Sequence, residues 1–152
     1  MQNLIKIPLW PARLIVLLLL MFASFFTYLV FFEPPWLSYT EGPFMVLNSP
    51  VKRGEVIDLK VDRCSTATVS RTYGLSRRLE CKDEQSGKIT VLPIPPATKD
   101  MQPGCYQIIS RETSVPTTAP LGWCRLRGNA ETQGVVRTHS VEFESKWFEV
   151  IP

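Results

Sequence analysis

From residue 14 to residue 32 the chain reads LIVLLLLMFASFFTYLVFF, an unbroken run without a charge. A helix rises ~1.5 Å per residue, so this run approaches the ~30 Å thickness of a bilayer's hydrocarbon core, and one membrane crossing is predicted. Pro11 precedes the run, where a missing N–H is tolerated, and Pro34-Pro35 follow it, where neither residue continues a helix. Trp10 on one flank and Tyr28, Trp36 and Tyr39 on the other suit the headgroup region. Lys6 and Arg13 precede the span, whereas Glu33 and Glu41 come first after it and the next basic residue is Lys52. That asymmetry predicts residues 1–13 in the cytoplasm. A cleaved signal peptide needs a shorter apolar core, ~7–15 residues, and an A-x-A-like site. The only small residues here, Ala23 and Ser24, follow Met21 and Phe22, so an uncleaved anchor is expected. Ala23 and Thr27 are spaced for a small-xxx-small helix contact, but lipid-facing filler is the simpler reading.

Beyond the span the pattern changes from continuous to alternating. Residues 33–44, EPPWLSYTEGPF, are rich in proline and predict an irregular stalk. Val56 to Val61 sets Ile57, Leu59 and Val61 on one face and Asp58 and Lys60 on the other, as a half-buried strand requires. Further strands are predicted at 69–79 and 88–92, on either side of the polar stretch Lys82 to Gly87, with Pro93, Pro95 and Pro96 ending the second. Residues 105–111 read as another strand, followed by a Pro-, Ser- and Thr-rich connection to Pro120. Trp123–Thr132 and Val135–Phe143 flank Gln133-Gly134 as a hairpin, with Val135, Arg137, His139, Val141 and Phe143 on one face and Glu142 and Glu144 on the other. The last strand is Trp147 to Val150, in which Trp147 and Phe148 must face opposite ways. Short strands separated by turns, without helical periodicity, predict an all-β exported body over residues 45–152, an antiparallel β-sandwich.

Charge and composition then limit function. The 17 basic and 14 acidic residues become 15 and 14 once Lys6 and Arg13 are set aside with the anchor, so the body carries no nucleic-acid footprint. Its size suits one small domain and excludes a large enzyme. Arg71, Arg77 and Arg78, with Arg63 and Lys82 nearby, are the one basic concentration. They are candidates for anionic headgroups or lipopolysaccharide phosphates, against the plainer reading of a charged, solvated strand edge. Trp147 is a candidate for an exposed interaction surface.

Cys64, Cys81, Cys105 and Cys124 form an even set in an exported domain and predict two disulfides. Three pairings are open. Cys64 with Cys81 and Cys105 with Cys124 is the favoured pairing, because each joins elements adjacent along an antiparallel chain, with about 3 kcal/mol from each closed loop. No C-x-x-C or H-x-x-x-H spacing supports zinc, and no cofactor is expected. His139 is the only histidine, which limits Ser–His or Cys–His catalysis, and Glu142 with Glu144 reads as a solvated pair. No G-x-S-x-G, H-E-x-x-H, phosphate-loop or dinucleotide motif is present.

The stretches PPWLSY, PLGWCRLRG and VRTHSVEFESKWFEV resemble those of small phage-encoded membrane proteins with an immunoglobulin-like exported domain. The resemblance covers most of the chain and implies an architecture and a viral setting, without a reaction. It also implies that Cys124, where an aromatic residue often stands, replaces a buried ring with a disulfide. The expectation is a non-enzymatic, single-pass inner-membrane protein with its C-terminal domain in the periplasm, whose partners are the bilayer and an envelope or membrane protein. Superinfection exclusion or lysis are its expected settings. The spanin type of lysis protein carries a helical, heptad-bearing segment that residues 45–152 lack. The rival from another class is a small envelope hydrolase or thiol-active protein, which needs a free low-pKa cysteine or a site around His139.

Overall fold

The structure is a computed structural model that describes residues 9–83 and 86–152. Lys6 and the rest of residues 1–8 of the predicted cytoplasmic segment lie outside the described residues, as do Glu84 and Gln85 of the predicted polar stretch. The chain forms two units, one of the residues up to Pro34 together with Val135–Arg137, the other of Pro35–Gly134 and Thr138–Pro152.

The first unit is built on helix α1, Leu9–Phe32. It begins before the predicted residue 14 because Pro11 still falls in the first turn, where no intrahelical N–H bond is lost. Pro34-Pro35 end it as expected. Trp10–Phe32 has a mean hydropathy of 2.7 and none of its side chains is buried against protein, so its length and composition fit a membrane crossing. The hydroxyl of Thr27 donates to the Ala23 carbonyl at 2.8 Å. That bond satisfies the polar group within its own helix, as a lipid environment demands.

The second unit is a two-sheet β-sandwich. In the first sheet β4 (Val56–Ser65) is central, paired along one edge with β7 (Gly104–Ser114) and along the other with β1 (Leu37–Tyr39) and β2 (Met45–Val46). The second runs in the order β3 (Val51–Lys52), β10 (Phe148–Ile151), β8 (Gly122–Gln133), β5 (Arg71–Lys82), β6 (Ile89–Met101), and β9 (Thr138–Glu144) also pairs with β8. The alternation seen in sequence is realised: Ile57, Leu59 and Val61 meet Leu79, Cys81, Cys124, Leu126, Phe148 and Val150 in the main core. Fully burying side chains such as Ile57, Leu79 and Leu126 contributes about 1.5–3 kcal/mol each. Trp147 and Phe148 divide as expected, Phe148 inward and Trp147 exposed.

Four expectations are corrected. Residues 33–44 are not a stalk throughout. Trp36, Leu37 and Phe44 are buried and β1 pairs with β4, because these apolar residues complete the core at an open strand edge. The prolines at 93, 95 and 96 do not end β6. Its only described strand partner is β5, so it runs along the sheet edge, where a missing N–H is tolerated. Pro95 and Pro96 stand together opposite Ser76, between the pairs Leu75–Ala97 and Arg77–Ile94, as a β-bulge. The β8–β9 hairpin is present, but Gln133 pairs with Thr138, so the loop is the four residues 134–137 rather than Gln133-Gly134.

The fourth correction concerns the disulfides. The bonds are Cys64–Cys105 and Cys81–Cys124. Cys64 and Cys81 are neighbours in sequence, but the chain crosses from the first sheet to the second between them, and Cys105 and Cys124 are parted in the same way. Within each sheet the register sets Cys64 opposite Cys105 on β4 and β7, and Cys81 opposite Cys124 on β5 and β8. The closed loops span 41 and 43 residues, so each bond contributes about 4 kcal/mol in the chain-entropy treatment rather than about 3.

Candidate functional site

Side-chain parity along β5 separates the predicted basic cluster. Tyr73, Leu79 and Cys81 face the core, and Arg77 shares their side. Its guanidinium reaches β7, donating to Thr113 Oγ1 at 2.6 Å, and to the Pro95 carbonyl at 3.2 Å. Nearby, Arg63 of β4 donates to the Tyr73 hydroxyl and lies over the ring of that tyrosine. Arg77 is thus a strut between strands rather than part of an open binding surface, and burial, opposed by Tyr73, lowers its pKa. Burial foremost, and then the charges of Arg77 and Arg63, also lower that of Lys99. Arg71 is exposed at the start of β5, where it pairs with Met101.

Arg78 points the other way, onto the outer face of the second sheet, where its guanidinium meets Glu80. The β5–β8 register sets Arg78 opposite Arg127 and Glu80 opposite Arg125, and on the far side of β8 Arg127 stands opposite Glu144 of β9. Two arginines directly opposed would repel. Glu80 resolves this by standing between the guanidinium groups. Its carboxylate meets Arg78 Nε at 2.9 Å, Arg125 Nη2 at 2.9 Å and Arg127 Nη1 at 3.8 Å. Glu144 takes Arg125 Nη1 at 3.3 Å and Arg127 Nε at 3.5 Å. The indole of Trp147 stacks on the Arg125 guanidinium, 4.9 Å from its ring centre, and fixes the plane of that fork. Glu80 is almost wholly covered while the Arg78 side chain is 49% exposed, so the array holds its counter-charge inside and presents a cation outside. Three guanidiniums against two carboxylates leave an excess positive charge. Such a pre-ordered fork suits a carboxylate or phosphate on a partner.

Beside this array lies a cleft of about 400 Å³ whose lining includes Tyr39, Phe44 and Phe143 with Glu41, Arg127 and Glu144. The three rings pack together, Tyr39 edge-on to both Phe44 and Phe143. Burial foremost, reinforced by Tyr73 and opposed by Arg63, raises the pKa of the Tyr39 hydroxyl well above the ordinary phenol value, so it stays neutral. The cleft therefore offers an aromatic floor and a charged rim that is continuous with the arginine array through Arg127 and Glu144.

Burial pushes the Glu80 carboxyl upward, but hydrogen bonds from Arg78 and Arg125 and the charges of Arg125 and Arg127 outweigh it, leaving its pKa below the ordinary glutamate value. A depressed folded-state pKa gives stability that is present above the unfolded value, ~4.3, and is lost as the pH falls through the folded value. Glu80→Gln should therefore unfold at lower temperature than the parent at pH 7. The gap should narrow as the pH falls below about 4, checked by thermal melts at stepped pH.

His139 is buried on β9 opposite Thr132, and Ser140 beside it is exposed. All four cysteines are bonded in pairs, which removes the free thiol that the thiol-active alternative requires. Glu142 is exposed as expected, whereas Glu144 is ion-paired rather than simply solvated. Glu80, Arg125, Arg127 and Glu144 were missed as a group. The available signal was the matched R-x-E of β5 and R-x-R of β8, which gains meaning only once the two strands are in register. No protein family matches the chain by sequence, and no curated protein matches it.

Proposed function

We propose that the protein is a single-pass inner-membrane protein whose periplasmic sandwich is a non-catalytic binding or scaffolding module for an anionic group on an envelope or membrane partner. The observation that carries this reading is the Arg78–Glu80–Arg125–Arg127 array with Trp147 stacked on it. It is an outward cationic surface held in one geometry by a covered carboxylate. An apolar helix of spanning length supports the anchor, and two disulfides support an oxidising compartment for the sandwich. Arg13 in the first turns of the spanning helix and Glu33 just after its other end support a cytoplasmic N-terminus. The immunoglobulin-like class belongs to the proposal. The two-sheet body supports it, although both disulfides lie within sheets rather than between them. The sequence resemblance supports a phage setting, with exclusion of later phages preferred to lysis.

A reporter that works only outside the cytoplasm should be active when fused after Pro152. In cells making the full chain, protection against a later phage should survive His139→Ala and fall strongly with Arg78→Glu or Trp147→Ala, each checked for retained disulfides and melting temperature. Loss of protection by His139→Ala alone, in a protein of unchanged stability, would favour a catalytic site instead. Arg77→Glu is unsuitable as a surface probe, because it places a carboxylate in the contact with Thr113 and should lower stability by about 2–3 kcal/mol, measured by denaturant titration.

A further inference from the structure

The first unit joins the end of α1 to three residues of the β8–β9 loop, and the join has a specific chemistry. The last carbonyls of a helix have no intrahelical donor. Here Arg137 Nη2 lies 3.5 Å from the Phe31 carbonyl and 3.3 Å from that of Glu33. This sets a cation at the negative end of the helix dipole. In return Glu33 accepts the backbone N–H of Val135 at 2.6 Å and that of Val136 at 3.4 Å. The loop is thereby held level with the last turn of the span.

That level is the membrane interface. Trp10–Phe32 covers about 34 Å as a helix, slightly more than a hydrocarbon core of ~30 Å, so Phe31 and Phe32 lie at its boundary. At the same height the loop exposes two apolar side chains, Val135 at 74% and Val136 at 36%, followed by the cation of Arg137. Neighbouring Phe31 and Phe32 are each 67% exposed. An exposed valine pair is unfavourable in water. Beside the phenylalanines of a span it continues the lipid-facing surface, with an arginine placed at phosphate height.

We propose that Val135–Arg137 is a second membrane contact, a loop that dips into the leaflet holding the C-terminal end of α1, with Val135 and Val136 at the acyl boundary and Arg137 among the phosphates. The proposal rests on α1 crossing the bilayer, but not on any partner of the arginine array. It is tested on the full chain in nanodiscs of phosphatidylcholine and phosphatidylglycerol, with a nitroxide attached to Val135→Cys or, separately, to Leu20→Cys. The Val135 label should collide with oxygen more than with a water-soluble nickel chelate, its nickel accessibility several-fold below that of the free label. Combining Glu33→Gln with Arg137→Ala should raise that accessibility. A lipid-buried label at Leu20 with a water-exposed one at Val135 overturns the loop contact alone, whereas a water-exposed label at Leu20 overturns the crossing and the loop contact with it. In the unlabelled chain, the Val135 and Val136 amides should exchange several-fold more slowly than after Glu33→Ala. Equal exchange would overturn the clamp between loop and helix.

Discussion

Replacing Cys81 and Cys124 together with alanine is expected to lower the melting temperature of the full chain by more than about 10 °C. Opening a loop of 43 residues removes about 4 kcal/mol in the chain-entropy treatment, a large part of the stability of a domain this size. Both residues are essentially inaccessible and lie in the main core, so losing two sulfurs also leaves space among Leu79, Leu126 and Phe148. Cys64→Ala with Cys105→Ala opens a loop of 41 residues, so its entropic loss is almost the same. Cys105 is exposed and Cys64 half-buried, however, so little cavity cost is added. The core pair should therefore be the more damaging by about 1–2 kcal/mol, measured as the difference between the two double variants in thermal or denaturant unfolding.

Gly128→Ala is expected to destabilise by about 3 kcal/mol through a different cause. Gly128 sits in the middle of β8, opposite Arg77 of β5 and Phe143 of β9. A Cβ added there would lie 2.4 Å from the Ser76 carbonyl oxygen and 2.6 Å from the Phe143 ring. The ring can turn, but the carbonyl belongs to the neighbouring strand and moves only if the sheet opens. Because Phe143 also floors the aromatic cleft and Arg127 and Asn129 flank the position, the strain should reach the arginine array as well. Gly74→Ala is the control. The corresponding Cβ meets nothing nearer than 3.8 Å, and its effect should stay below about 1 kcal/mol. Denaturant titration of the two variants checks both expectations.

The helix and the two-sheet class were legible because each rests on a local pattern. A charge-free run flanked by prolines marks α1, and the period-two alternation of Ile57, Leu59 and Val61 marks β4. What was not legible depends on which strand neighbours which. Cys64 and Cys81 stand near each other in sequence yet belong to different sheets, and no local signal announces the crossing between them. The same gap hid the candidate site. Arg77 and Arg78 are consecutive and looked alike, but a strand turns them to opposite faces, one to Thr113 across the interior and the other to Glu80. Parity alone turns Trp147 and Phe148 to opposite faces, but which of them is buried, and the stacking of Trp147 on Arg125, depend on the β8–β10 register. Trp36 and Leu37 were assigned to a stalk because neighbouring prolines outweigh apolar residues in a short window. Their burial depends on an open edge of β4 that the window does not contain.

The most direct measurement on the binding proposal places a photo-activated crosslinking amino acid at Lys146, which is exposed beside Trp147, in the full chain in its native membrane. The account predicts one discrete adduct on illumination, retained with His139→Ala and lost with Arg78→Glu in proteins of equal abundance and intact disulfides. An adduct that persists undiminished with Arg78→Glu, or no adduct at all from this position, would contradict a partner held by the arginine array.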